Sequence, residues 1–192
     1  SWSQETSYKR VALIKYPVSD AQTHPVLILM HGAGGNAYGM INQYMDLEDY
    51  ILVALQGYDN RWNIQTESSK ADDLDYIVSI IDQLKTYSDV DADNISLMGS
   101  SNGAAMVNRA MIELPEGTFK NAISLASQLT TDQYNNNSFW GAENNDGNYD
   151  TGHTLSPDLR ALSLHGTNDT TIPYEGGTVN WLSRTFIEAQ QS

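Results

Sequence analysis

A serine set between two glycines is the pattern in this chain that points most directly to chemistry. Gly99-Ser100-Ser101-Asn102-Gly103 follows the apolar run Ile95 to Met98 and precedes a segment with helical spacing. A serine on a sharp turn from a strand into a helix is exposed for nucleophilic attack, and the flanking glycines let neighbouring backbone come close. The helix start adds N–H groups that stabilise a developing oxyanion. The pattern predicts a nucleophilic serine, and its alternative is an ordinary Gly/Ser turn.

A second glycine-rich turn, His31-Gly32-Ala33-Gly34-Gly35-Asn36, follows the apolar run that ends at Met30. Backbone N–H groups in such a turn can point at the same oxyanion. A phosphate cradle is the competing interpretation. It is disfavoured because position 37 is Ala where the dinucleotide-binding glycine pattern needs a glycine, and because no Gly-Lys-Ser/Thr follows. We expect His31 itself to brace the turn rather than to act as a catalytic base.

A third polar turn, His165-Gly166-Thr167-Asn168-Asp169, follows the predicted strand Leu159 to Leu164. Asp169 is a candidate for the carboxylate that orients a catalytic imidazole. Its alternative is a turn aspartate placed before Thr170.

These three turns need a scaffold that brings them to one edge. Apolar runs alternate with helical spacing, which predicts a mostly parallel sheet covered by helices on both faces, with the active site at the carboxyl ends of the strands. The predicted strands are Val11 to Tyr16, Val26 to Met30, Ile51 to Leu55, Ile95 to Met98, Ala122 to Leu125 and Leu159 to Leu164, and the predicted helices are Asp72 to Thr86 and Asn102 to Leu114.

Two later segments carry weaker signals. Thr130 to Thr154 is rich in Asn, Asp and Gly, which predicts a polar loop or lid above the sheet. Trp181 to Ser192 has apolar residues at helical spacing and ends without a Gly or Pro stop signal. We therefore expect a C-terminal helix here, and a fold whose last strand and helix are missing from the sequence.

Length and composition bound the function classes. The 192 residues correspond to a single domain spanning positions 1–192, at ~150 residues per domain. With 10 Lys and Arg against 24 Asp and Glu, the net charge is −14, which disfavours nucleic acid and anionic membranes as partners. Cysteine is absent, which excludes disulfides, thiolate zinc sites and a cysteine nucleophile. No run approaches the ~18 apolar residues that a membrane span needs.

Together these motifs resemble the α/β-hydrolases that include polyhydroxybutyrate depolymerase-like esterases and feruloyl esterases. The Ser-Asn-Gly-Ala stretch and the His-Gly-Thr-x-Asp stretch, which continues to Pro-Tyr-x-Gly-Gly, are the most specific parts. The resemblance runs from about residue 10 to 180, and its segments are Leu29 to Asn36, Ala71 to Leu74, Leu97 to Met106 and His165 to Gly177.

The resemblance implies an α/β-hydrolase fold and a serine carboxylic-ester hydrolase that needs neither cofactor nor metal. It implies Ser101 as nucleophile, Asp169 as the acid of the triad, and the N–H groups of Ala33 and Asn102 as the oxyanion hole. Trp62 matches an aromatic residue usually near the substrate. The order Ser before Asp also agrees with the family order Ser, Asp, His.

The chain departs from the family at the catalytic base. No histidine follows Asp169, because the four histidines are His24, His31, His153 and His165. Three alternatives remain open: a histidine beyond residue 192, a base supplied by His153 from the polar loop, or a catalytically impaired relative.

The expected substrates are small or oligomeric esters: short-chain acyl esters, aromatic feruloyl-type esters or hydroxyalkanoate oligomers. The alternative function is a catalytically impaired or non-catalytic binding domain on the same fold. By analogy with relatives, we expect a secreted or periplasmic protein. The sequence leaves the oligomeric state open.

Overall fold

A computed structural model describes residues 5–142 and 146–191 and shows a sheet-centred α/β architecture. The strands, in chain order, are β1 (Ala12–Lys15), β2 (His24–Met30), β3 (Ile51–Leu55), β4 (Val90–Ser100), β5 (Asn121–Leu125), β6 (Tyr134–Asn135), β7 (Ser138–Gly141), β8 (Thr151–His153), β9 (Arg160–Leu164), β10 (Gly177–Val179) and β11 (Arg184–Phe186). The α-helices are α1 (Ala37–Asn42), α2 (Asp73–Leu84) and α3 (Asn102–Glu113). Single 3-10 turns lie at Tyr58–Asn60, Asn180–Leu182 and Ala189–Gln191.

Six strands form the main sheet in the order β1-β3-β2-β4-β5-β9. β1 pairs antiparallel with β3, and all the other pairs are parallel. The order runs outward from β2 in both directions, so the turns after β2 and β4 lie next to each other. This reversal of strand order is where open α/β sheets place their ligand sites.

Alternation along the central strands fills two cores. In β2, Ile28 and Met30 face one core together with residues of α2 and α3, such as Ile77 and Met106. Leu29 faces the other core, which α1 covers. Helices therefore cover both faces of a mostly parallel sheet, as the sequence predicts.

The six predicted strands of the main sheet and the predicted helices Asp72 to Thr86 and Asn102 to Leu114 are present, with shifted ends. α3 begins at Asn102 and ends at Glu113, before the Pro115 that cannot continue it. β4 is the largest difference, since it begins five residues before Ile95. The Asp-rich residues at its start have no apolar pattern to mark them as strand.

Two expectations about secondary structure in the later segments are wrong, while the role of Thr130 to Thr154 as a lid stays a prediction. The predicted polar loop or lid, Thr130 to Thr154, contains a three-stranded antiparallel sheet of order β6-β7-β8, whose aromatic residues Phe139 and Trp140 lie among polar ones. Residues 143–145 of that segment lie outside the described residues. The short, polar strands hide the alternation that would have indicated strand.

The predicted C-terminal helix is also absent from the described residues. Trp181 to Gln191 instead forms a 3-10 turn, β11 and a second 3-10 turn, while Ser192 lies outside the described residues. β11 pairs with β10, and Phe186 packs with Val179 and Ile172 in a small cluster. Ser183 adopts a left-handed conformation, which ends any helix at this point.

Among the described residues, no helix is both long and apolar enough to cross a bilayer.

Candidate active site

Ser101 occupies the turn between β4 and α3 with a strained backbone. Its φ is 52° and its ψ is −117°, a combination that side-chain-bearing residues rarely adopt. Its N–H donates to Leu125 O at 2.8 Å, and its carbonyl accepts the Ala105 N–H at 2.9 Å as the first bond of α3. Hydrogen bonds from both sides of its backbone thus keep Ser101 in this strained conformation. Such strain is the signature of a serine held at the tip of a strand-to-helix turn.

The two glycines of the serine motif are required by close backbone approach. A Cβ on Gly99 would lie 2.2 Å from Gly103 O. A Cβ on Gly103 would lie 2.2 Å from Met30 O and 2.6 Å from His31 O. The first turn of α3 therefore sits directly on the end of β2, which brings the two glycine-rich turns together as the sequence predicts.

The turn after β2 also reaches the serine itself. A Cβ on Gly32 would lie 3.5 Å from Ser101 Cβ and 3.4 Å from Ser100 O. Ala33 is the next residue along this turn, and Asn102 is the first residue of α3. Within residues 5–142 and 146–191, neither Ala33 nor Asn102 donates its main-chain N–H to a protein acceptor. Two uncommitted donors therefore lie in the segments that flank Ser101, as an oxyanion hole requires.

His31 braces the turn and is not placed as a base. Its Nε2 lies 3.0 Å from Gly57 N and accepts that N–H, so the ring proton sits on Nδ1, which donates to Gly32 O at 2.8 Å. Burial lowers the pKa of His31, and nearby Arg10 lowers it further against the opposing Gly32 hydrogen bond. Both ring nitrogens of a neutral imidazole are thus engaged by backbone.

Trp62 requires a correction. The expected place near the substrate is wrong for its ring, which is fully buried at 0% exposure. Its indole N–H donates to His31 O at 2.8 Å, and its ring centroid lies 5.3 Å from that of His31. The residue therefore supports the turn after β2 from behind. The sequence places an aromatic residue in this region but does not show which way it faces.

The Asn102 side chain forms a second link that the sequence does not reveal. Its Oδ1 accepts the Trp62 N–H at 2.8 Å, and its Nδ2 donates to Trp62 O at 3.2 Å. The amide thereby pairs with the backbone of Trp62 as a neighbouring strand would. Its own main-chain N–H has no protein acceptor among the described residues.

Asp169 lies at the same edge of the sheet but two strands away. It follows β9, which is separated from β4 by β5, a distance of roughly 10 Å at the usual strand spacing. Its Oδ1 accepts the N–H groups of Thr171 and Ile172 at 2.8 and 3.0 Å. Its Oδ2 lies 3.6 Å from Nε2 of His165, which hydrogen-bonds to Ile172 O at 2.7 Å. The carboxylate is 21% exposed and bound into its own turn.

None of the four histidines, all of which lie in described residues, hydrogen-bonds Ser101. His24 begins β2, at the opposite end of the sheet. A Cβ on Gly141 would lie 2.6 Å from His153 Nε2 and 2.7 Å from Glu113 Cγ, so His153 lies beside the last residue of α3. Ser101 precedes the first residue of this helix, about 18 Å away at the usual rise. This distance argues against His153 as the base.

A buried charged group near the site escapes prediction from sequence. Asp73, at the start of α2, forms an ion pair with Arg10 at 2.5 Å, and the two side chains are 0% and 7% exposed. Its other oxygen accepts the Asn63 N–H at 2.7 Å. The only signal in the sequence is that Ala71 to Leu74 resembles a segment of the esterase family, and this resemblance does not indicate that Asp73 pairs with Arg10.

Among the described residues, no cluster of three or more His, Cys, Asp or Glu side chains is arranged to hold a metal ion.

Comparison with known proteins identifies one similar sequence and several similar folds. No family model matches the chain. A protein named "Putative esterase NocK" from Nocardia uniformis subsp. tsuyamanensis is 30% identical over 115 residues, which cover 55% of this chain and 33% of that protein. The chain therefore spans about a third of the length of this curated relative.

Solved structures give the same fold. An acetyl xylan esterase from Aspergillus awamori superposes with a TM-score of 0.64 at 18% identity, over 84% of this chain and 69% of that one. The Bacillus cereus carboxylesterase gives a TM-score of 0.57 at 18% identity, over 85% and 74%. A thermostable esterase gives 0.58 at 17% identity, over 85% of this chain and 44% of that one. The predicted α/β-hydrolase fold is confirmed.

Proposed function

We propose that this chain carries the nucleophile and oxyanion hole of a serine carboxylic-ester hydrolase. The observation that carries the proposal is the strained backbone of Ser101, at φ 52° and ψ −117°, where β4 enters α3. The esterase names of the relatives and structural neighbours support the same reaction class. The narrower resemblance to polyhydroxybutyrate depolymerase-like and feruloyl esterases remains a prediction.

The proposed mechanism is acyl transfer through the serine. Ser101 Oγ attacks the ester carbonyl carbon while an imidazole takes its proton, and the carbonyl oxygen becomes an oxyanion. The N–H groups of Ala33 and Asn102 stabilise that charge. The imidazolium then protonates the departing alcohol, and water attacks the acyl-enzyme to release the acid. Asp169 holds the imidazole in the tautomer that accepts the Ser101 proton.

The imidazole is the component that the described residues do not bring to Ser101. We propose that it comes from a histidine outside residues 1–192, because His31 is engaged on both ring nitrogens and His153 lies beside the far end of α3. Several of the structural neighbours are longer than this chain, which leaves room for such a segment.

The proposed substrates are short-chain acyl esters or aromatic feruloyl-type esters. The names of the neighbours include an acetyl xylan esterase and a carboxylesterase, which fit the short-chain class. A direct comparison of rates on short-chain and feruloyl-type esters distinguishes the two substrate classes.

Among the residues that the structure describes, no imidazole hydrogen-bonds Ser101, and this observation favours a second candidate function. Without a base, the same turn would bind an ester carbonyl through its N–H groups and turn it over slowly. A triad that lacks its base retains only the residual catalysis of the oxyanion hole and binding.

Turnover of matched substrates tests the proposal. The full-length protein should hydrolyse p-nitrophenyl acetate or methyl ferulate, with a much lower rate on the matching amide. Ser101→Ala should lose this activity, and the neighbouring Ser100→Ala should keep it. Equal rates for Ser101→Ala and the unaltered protein would overturn the proposal. Ligand binding without any turnover would support the second candidate.

A further inference from the structure

Residues 61–63 hydrogen-bond to both segments that supply the proposed oxyanion hole: the turn after β2, which carries Ala33, and Asn102 at the start of α3. We infer that Trp62 and Asn63, held by the buried Arg10–Asp73 ion pair, are positioning residues that fix the Ala33 and Asn102 N–H groups relative to each other. This inference rests on the proposed function only for its catalytic consequence. We call residues 61–63 the strap.

The strap contacts the turn after β2 and the start of α3 through separate hydrogen bonds. The Trp62 indole N–H donates to His31 O, two residues before Ala33, at 2.8 Å. The Trp62 main-chain N–H and carbonyl pair with the Asn102 side-chain amide at 2.8 and 3.2 Å. One buried residue therefore binds both the turn that carries one donor and the residue that carries the other. A shift of Trp62 would move both donors.

The strap is held in turn from the side away from Ser101. The Asn63 N–H donates to Asp73 Oδ2 at 2.7 Å, and the Asn63 side-chain amide donates to Ala71 O at 2.6 Å. Asp73 lies at the start of α2, which packs on the main sheet. The strap is thus anchored to a helix, α2, rather than to a loop.

Arg10 completes the support. Besides its ion pair with Asp73, it donates to Gln56 O at 3.2 Å, and its guanidinium lies 4.1 Å from the centre of the Tyr76 ring. Gln56 in turn donates to Gly57 O at 3.0 Å, and Gly57 supplies the N–H that His31 accepts. These hydrogen bonds therefore connect Arg10 to His31, in the turn after β2.

A buried ion pair often adds little net stability compared with apolar packing. Stability alone is thus a weak explanation for placing Arg10 and Asp73 here. A fixed hydrogen-bond geometry is a better one, because a displacement of about 1 Å at a catalytic donor can cost ~100-fold in rate.

Substitution of two tryptophans tests the inference with a matched control. Trp62→Phe keeps an aromatic ring and removes the N–H bonded to His31 O. Trp140→Phe makes the same change at an indole N–H that has no hydrogen-bond partner among the described residues. We would measure amide hydrogen exchange in both variants of the full-length protein, which needs no catalytic activity.

The expected result is local. In Trp62→Phe, exchange should accelerate by ~10-fold or more at Gly34 and Gly35, whose N–H groups are bonded within this region, and stay unchanged at Leu97 in the core. Trp140→Phe should leave both unchanged. Unchanged exchange at Gly34 and Gly35 in Trp62→Phe, or equal acceleration at Leu97, would overturn the inference.

Kinetics give the catalytic consequence. In Trp62→Phe, kcat per active site, counted by fluorophosphonate titration, should fall between ~10- and ~100-fold with little change in KM. A purely structural role would lower the number of active sites and leave kcat per site unchanged, which would contradict the positioning role.

A second variant covers the case in which Trp62→Phe does not fold. Asp73→Asn keeps the size of the side chain and removes its charge, so it should loosen the strap and speed exchange at Gly34 and Gly35 selectively. If the unaltered protein has no esterase activity but these exchange patterns appear, the proposed function fails and the positioning network stands. If activity is present and the patterns are absent, the positioning inference fails alone.

Discussion

The two sides of the candidate site are built very differently. Around Ser101, buried backbone and side-chain hydrogen bonds fix the turns after β2 and β4 and the strap behind them. Around Asp169, the turn follows the edge strand β9, where Leu162 and Leu164 are 50% and 52% exposed. The contrast teaches that buried contacts within the described residues hold the turns proposed for the nucleophile and the oxyanion hole. The turn proposed for the acid follows an exposed edge strand, and no histidine of the described residues hydrogen-bonds Ser101.

The largest expected effect lies at the contact between α3 and β2. Gly103→Ala places a methyl group 2.2 Å from Met30 O, and backbone cannot move aside at this point. We expect a loss of at least ~3 kcal/mol in the free energy of unfolding, measured by urea denaturation.

Gly166→Ala is the matched control on the acid side, where a Cβ meets nothing within 4 Å. It should change stability by less than ~0.5 kcal/mol. Equal losses at Gly103 and Gly166 would remove the contrast between the two sides.

A leucine in each region sharpens the comparison through packing. Leu97 of β4 is fully buried, so Leu97→Ala should cost ~2–5 kcal/mol by transfer and cavity formation. Leu162 of β9 is half exposed, so Leu162→Ala should cost less than ~1 kcal/mol. Urea denaturation of both variants checks this. A large loss at Leu162 would show that β9 is covered in solution.

A buried ion pair between β11 and the segment after the strap predicts a smaller, pH-dependent effect. Arg184 of β11 contacts Glu67, which follows the strap, at 2.5 Å. Burial favours a higher pKa for Glu67, but the Arg184 charge and the backbone N–H donors outweigh it and hold this pKa below its ordinary value of 4.5. The charged pair therefore adds stability above that value and loses it as the pH falls through the lower folded-state pKa.

The measurement is the Tm of Glu67→Gln against the unaltered protein between pH 3 and 7. The variant should be less stable by roughly 2 kcal/mol near neutral pH, and the difference should shrink below about pH 4.5. Exposed Glu175→Gln serves as the control. A Tm difference that stays constant over the whole range would contradict the charge-based account.

The sequence predicts the regions in which local pattern and tertiary structure agree. Continuous apolar runs such as Ile51 to Leu55 mark buried parallel strands, and the spacing before Pro115 marks α3. Close backbone contact requires glycine at positions 99 and 103. The glycine spacing of the serine motif therefore predicts the turn correctly.

The remaining features depend on contacts that local patterns do not encode. Trp62 looks like a candidate substrate contact in sequence, and only its burial shows that it points inward. The helical spacing of Trp181 to Ala189 is fortuitous, because the left-handed Ser183 and the pairing of β10 with β11 decide the structure. The Arg10–Asp73 pair joins residues 63 positions apart, which no short-range pattern reveals.

The most direct test of the central claim is the intact mass of the full-length protein before and after reaction with a fluorophosphonate. An activated Ser101 predicts one adduct per chain, which is absent in Ser101→Ala and present in Ser100→Ala. The same adduct would show that a working base reaches the serine. No adduct, or an adduct that persists in Ser101→Ala, would contradict the assignment of Ser101 as an activated nucleophile.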